Sequence, residues 1–168
     1  MGGHDPTALR DALLGVQEVF ARAARLRLEA IRTLARVDVG PEDAPALREL
    51  VEALLRREAA DADQTLPLRE RIARATAEAR AAAAARERLT AHADVAALVE
   101  SILATWHDAL DRSDVIAARL PGRVAPEIAE AFGGYVAALR ALHDGAPGAT
   151  EGYAAALDRL NHATGFTG

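Results

Sequence analysis

"ARERLTAHADVAALVESIL", residues 85–103, lies in the middle of the longest run of the chain without glycine or proline, 68–120. Whether that run is one rod or two helices decides the architecture, and the phase of its apolar residues gives the answer. At about 100° per residue, Leu68, Ile72, Ala75, Ala79 and Ala83 line the side opposite to Val95, Leu98, Val99, Ile102, Trp106 and Leu110. A single rod would have to bury opposite faces in its two halves. The phase therefore predicts a break in "LTAHAD", 89–94, where Thr90 and Asp94 both carry the short polar side chain that caps a helix N-terminus.

Working outward, Leu9, Leu13, Val16, Phe20, Ala23, Ala24, Ile31 and Leu34 recur at steps of three and four, so 7–37 reads as one amphipathic helix about 45 Å long. "VGPEDAP" stops it, with Gly40 placed to end one helix and Pro41, Glu42 and Asp43 suited to start the next. The second helix carries Leu47, Leu50, Val51, Leu54 and Leu55 and should end around "DADQTLP". Beyond "RLPGRVAP", Pro126 and Glu127 open a fifth helix with the face Ile128, Phe132, Tyr135, Leu139 and Leu142, stopping at Asp144 and Gly145. Thr150 is placed to cap a short sixth. The last two share a theme, "GYVAALRAL" from 134 and "GYAAALDRL" from 152; five whole turns separate them, so matching positions face the same way.

No β-branched alternating run occurs, so the fold class is all-α. Short connections between long helices favour antiparallel neighbours. The expectation is a single all-helical domain over 1–168: an up-down bundle of four long helices over 1–122, with a C-terminal helical hairpin over 123–168.

Composition narrows the function. With 51% apolar and 27% charged residues the chain is composed like a globular domain, not a disordered one. It contains no cysteine, which excludes disulfides, thiolate metal sites and a cysteine nucleophile together. No stretch approaches the roughly 20 apolar residues of a membrane span, and no basic start joins an apolar run, so the expected location is the cytoplasm, with no membrane partner. The net charge of −5 argues against a general nucleic-acid binder. All 20 basic residues are Arg, alongside abundant Ala and Gly, which points to a GC-rich bacterial genome.

On the third helix the inward line is small: Ala75, Thr76, Ala79, Ala82 and Ala83, with Glu70, Arg74 and Glu78 as a charged ladder on the other side. Alanine favours the helix but buries little area, so large residues from across must fill the space, or a second chain must. Ala75, Ala79, Ala82 and Ala83 are accordingly the candidate interface of a homo-oligomer.

"WHDALDRSD" holds the most suggestive polar cluster: His107, Asp111 and Asp114 share one helical line, with Glu100 a heptad earlier. His107 and Asp111, four residues apart, are the candidate divalent-metal pair, and closing such a site takes ligands from another helix. The other reading is a solvated stripe. "ALHDG", 141–145, with His107 upstream, resembles the His, His-Asp pattern of the metal-dependent HD-domain phosphohydrolases. That resemblance covers only these residues and implies a metal held on them. The family carries a further aspartate on a later helix, where this chain has Asp158 with little length beyond it, and "HDG" is equally a helix stop. Arg86 and His92 have a spacing similar to the Arg and His of HEPN-type ribonucleases, although the expected break falls between them. The "ELVE" and "EAAD" segments resemble the paired carboxylates of all-α nucleotide pyrophosphohydrolases, but Glu49 and Glu58 point to opposite sides of one helix.

Arg22, Arg25, Arg32 and Arg36 make a basic stripe on the outer face of the first helix, a solvated face or an acidic partner's dock. Arg27 projects from the apolar line instead and must reach solvent or a buried acid. Glu58 also lies on an apolar line, yet in an up-down hairpin the two stand about 14 and about 24 Å below the turn, which predicts no direct pair unless the helices are staggered. Trp106 and Tyr135 lie on apolar faces and, with Arg27, are the candidate lining of a ligand pocket between helices. No phosphate loop, nucleophile elbow or dinucleotide fingerprint is present, so no cofactor is expected and enzymatic function has little support. Three functions follow in order: an interaction or scaffold protein acting by self-association or partner binding, a small-molecule-binding regulatory domain, and a divalent-metal-dependent hydrolase.

Overall fold

The computed structural model describes residues 5–165, and these form six helices: α1 (Ala8–Leu34), α2 (Ala44–Ala62), α3 (Leu68–Glu87), α4 (Ala93–Ala118), α5 (Pro126–His143) and α6 (Ala149–Thr164). Among the described residues there is no β-strand, only an isolated bridge between Pro121 and Val124, so the fold is all-α. No helix among them is long and apolar enough to cross a membrane.

The helix break falls where the phase requires it. The chain leaves α3 through a turn in which the amides of Leu89 and His92 donate to the carbonyls of Arg86 and Leu89. Leu89 is buried there, holding the corner in the core. The residue before α4 is His92, whose carbonyl accepts from Ala96; Asp94 therefore lies in the first turn, where its charge meets the positive helix end without capping it. Thr150 is displaced in the same way. Gly148, in the left-handed region at φ 71°, occupies the position before α6 and places Thr150 inside the first turn. α1 ends at Leu34, short of 37, because Val37 and Val39 turn inward before Gly40 (φ 82°) redirects the chain.

Two compact units divide the chain. One contains the residues up to Ala23 and those from Trp106 onward; the other is Ala24–Thr105. In the second unit, Ile31 and Leu34 of α1, Leu47, Leu50 and Leu54 of α2, Ala82 and Ala85 of α3, and Val95, Val99 and Ile102 of α4 share one core. α2 packs against α3. Their ion pairs, Glu49 with Arg88 and Arg56 with Glu78, run in opposite sequence order, so the two helices are antiparallel.

The inner row of α3 differs from the expected one. Leu68, Ile72, Ala75 and Ala79 are half-buried, Ala82 and Ala85 are buried, while Thr76 and Ala83 are exposed. The row advances by a mixture of three- and four-residue steps toward Leu89, and a strict four-residue step drifts off it. Glu70 and Arg74 pair along the helix at 2.8 Å, but Glu78 turns to Arg56 of α2 at 2.9 Å. Ala82 and Ala85 thus share a core with Leu47, Leu50 and Leu54 of α2, which supply the bulk that α3 lacks.

In the first unit, Ala8, Ala12 and Val16 of α1 pack with Leu120, Val124, Phe132, Val136 and Leu160, and Phe132 is fully buried at their centre. α5 packs against α6. The repeated Gly-Tyr brings Tyr135 and Tyr153 ring to ring, with centroids 5.9 Å apart.

Candidate metal centre

α4 places Trp106 and His107 side by side in sequence, but helical geometry turns them apart. Trp106 is half-buried, with its ring 6.1 Å from Phe20 of α1, whereas His107 is exposed. α5 ends nearby with His143, and Asp144 follows as the cap residue, its amide donating to the carbonyl of Arg140 at 2.9 Å. Gly145, at φ 68°, then takes the chain away.

The two helix segments bring three ligand-bearing side chains together. One nitrogen each of His107 and His143 and one carboxylate oxygen of Asp144 all lie within 4.8 Å of one another. In a tetrahedral site with ligand distances near 2.1 Å the donors stand about 3.4 Å apart, a difference that side-chain rotation closes. His107 meets His143 edge to face at 87°, centroids 5.3 Å apart, and Trp106 stacks on His143 at 5.5 Å and 29°. His143 is thus held between an indole face and a second imidazole.

Two imidazoles and a carboxylate suit zinc and the first-row transition metals; magnesium and calcium prefer all-oxygen sets. Three protein ligands also leave a coordination position open, as catalytic sites do and closed structural sites do not. No family model, curated protein or solved structure matches this chain. The reading of the site therefore rests on its own geometry.

The other candidate residues have found different partners. Asp111 and Asp114 both accept from Nη2 of Arg140, at 2.9 and 2.6 Å, and Glu100 is exposed. His92 meets the Asp43 carboxylate at 2.7 Å, while Arg86 stays on α3. Glu49 pairs with Arg88 and Glu58 with Arg27, so the two glutamates serve different arginines. Arg22, Arg25, Arg32 and Arg36 are exposed. Tyr135 packs with Phe132 and Tyr153, and burial pushes its hydroxyl above the ordinary tyrosine range.

Arg27 and Glu58 do pair, which the level-register expectation allowed only for staggered helices. Arg27, only 3% exposed, donates from Nε and Nη2 to the two Glu58 oxygens at 2.5 and 3.2 Å, and from Nη1 to Thr105 at 3.3 Å. The hairpin estimate assumed a tight turn between helices in level register. The connection 35–43 is long enough to let α2 slide along α1, and two long side chains span the remaining offset. Asp61, one turn beyond Glu58, has its carboxyl pushed up by burial, with Arg57 opposing the shift.

His143 and Asp144 were legible only through the short pattern they make with His107. Nothing in the periodicity of either helix singles them out, because a pairing between helices is not encoded in spacing along one of them.

Proposed function

We propose that this protein binds a divalent transition metal at His107, His143 and Asp144, and that a water or small ligand in the open position is its working group. The observation that carries this reading is the convergence, within 4.8 Å, of His107 on α4 with the consecutive His143 and Asp144 at the end of α5, some 36 residues further along the chain. A metal in such a set lowers the proton affinity of a bound water, which makes metal-assisted hydrolysis the reaction class that fits. The His, His-Asp resemblance points to the same three residues.

The self-association reading has less support. Ala82 lies in the core of its own unit and Ala75 and Ala79 are half-buried, which leaves Ala83 as the exposed member of the candidate seam. As a ligand pocket, Arg27 already has the carboxylate of Glu58 as its anion. For the helix arrangement we infer the up-down order with a C-terminal hairpin, supported by the α2–α3 and α5–α6 pairings, and for location the cytoplasm.

The test is titration of chelator-treated protein with Zn²⁺ by calorimetry. One metal per chain is expected, with affinity falling at least roughly tenfold in His143→Ala and in His107→Ala. Absence of binding, or wild-type affinity in either variant, refutes the proposal.

A further inference from the structure

His107 has two carboxylate neighbours of interest, one on its own helix and one across from it. Asp111 stands one turn further along α4, on the same helical line, and Asp144 stands at the end of α5. Only Asp144 belongs to the converging group. The residue that separates the two is Arg140, one turn before Asp144 on α5, whose Nη2 donates to Asp111 Oδ1 at 2.9 Å and to Asp114 Oδ2 at 2.6 Å. Arg140 is one-third exposed (34%), against 72% for Asp111 and 51% for Asp114. The arginine is the better anchored partner of the clamp, and it draws both carboxylates toward α5.

We propose that Arg140 is a positioning residue that selects the carboxylate of the metal centre: by holding Asp111 and Asp114 it keeps Asp111 off the metal and sets α5 beside α4 so that Asp144 completes the site. This inference rests on the metal reading above. It assigns a role to the polar stripe of α4 that neither a solvated face nor a direct ligand set describes. The two hydrogen bonds also hold the Arg140 guanidinium above its ordinary proton affinity, consistent with a fixed cation.

Three roles for Arg140 lead to different measurements. A cation that merely stood near the metal would repel it, so its removal would tighten binding without changing which ligands matter. An ion pair that merely held two helices together would change thermal stability and leave ligand identity alone. A selector changes the dependence of binding on Asp144. With Arg140 gone, His107 and Asp111 at four-residue spacing form a pair that competes with Asp144.

The experiment is Co²⁺ titration of the full chain, followed by visible absorption, in a double-mutant cycle. The proteins are the wild type, Asp144→Asn, Arg140→Gln and the double variant, with folding checked by circular dichroism. Asp144→Asn is expected to weaken Co²⁺ binding roughly tenfold or more in the wild-type background, but less than about threefold in the Arg140→Gln background. Adding Asp111→Asn to the double variant should restore the full loss, and Arg140→Lys should keep the dependence on Asp144. An equal loss from Asp144→Asn in both backgrounds overturns the inference, as does a uniform tightening in Arg140→Gln. Failure of the wild type to bind Co²⁺ would instead overturn the metal reading itself, so the two failures are distinguishable.

Discussion

Replacing Arg27 by Met should destabilise the protein by about 3–5 kcal/mol at neutral pH. The figure follows from what the substitution leaves behind. Arg27 is 3% exposed and Glu58 13%, so water cannot take over the charge when the guanidinium goes. Three hydrogen bonds disappear, two of them to the Glu58 carboxylate. Thr105 still donates to the carbonyl of Ile102 at 2.7 Å and loses only its role as acceptor. The thioether fills most of the volume of the arginine stem, so the cavity contribution is small and the unpaired carboxylate dominates. Against a total of about 5–15 kcal/mol for a typical domain, the loss is large enough to measure directly. Glu58→Leu alone takes the carboxylate from the buried guanidinium and should be similarly costly. The double variant Arg27→Met/Glu58→Leu has neither charge and should return to within about 1 kcal/mol of the wild type, since buried ion pairs are replaceable by apolar residues of like size. Urea unfolding followed by far-ultraviolet circular dichroism on all four proteins gives the coupling energy, expected above about 2 kcal/mol. A single variant as stable as the wild type at neutral pH would refute this account of the core.

Two further outcomes follow from local geometry. Gly152 sits inside α6, exposed, and a Cβ built there meets nothing within 4 Å, so Gly152→Ala should raise stability by about 0.5–1 kcal/mol in thermal unfolding. The Asp63 carboxyl is held below the ordinary aspartate range by hydrogen bonds from the hydroxyl of Thr65 at 2.5 Å and its amide at 3.0 Å. Its folded form therefore binds the proton less tightly than the unfolded chain. The resulting stabilisation is present above the ordinary aspartate range and disappears as pH falls through the folded value. Thr65→Val should raise the titration midpoint of Asp63 by NMR, and an unchanged midpoint would show that the hydroxyl plays no part.

The helices were legible because their signals are local. The phase reversal between Ile72 and Val95 demanded a break, and buried Leu89 marks it. The Asp-Gly stop after His143 marks an end that the structure keeps, whereas α1 ends at Leu34, ahead of the Gly-Pro stretch that redirects the chain. What failed was the finer arithmetic. A four-residue step along α3 included Ala83 and missed Ala85, because a helix of 3.6 residues per turn rotates its buried row away from any fixed integer. The Arg27–Glu58 pair was expected only with stagger, because helix rise was counted from a turn assumed level. Stagger between helices is set by the length of 35–43 and by the packing of Ile31 and Leu34 with Leu50 and Leu54, neither of which enters a count along one helix.

The candidate site shows the same limit from the functional side. Spacing alone places His107, Asp111 and Asp114 on one line, and the structure adds what that line faces: Arg140 against the two aspartates and His143 against the histidine. On α5, Arg140, His143 and Asp144 fall within one turn, so a single register between α4 and α5 sets both the clamp and the ligand group. Shifting α5 by one residue would rotate its side chains by about 100° and remove both at once. A salt clamp that shares its register with a metal centre ties the ligand choice to helix packing. That coupling is why neither the stripe on α4 nor the His-Asp stop of α5 carries the site alone, and why the cycle linking Arg140 to Asp144 tests the arrangement more sharply than removing any one ligand.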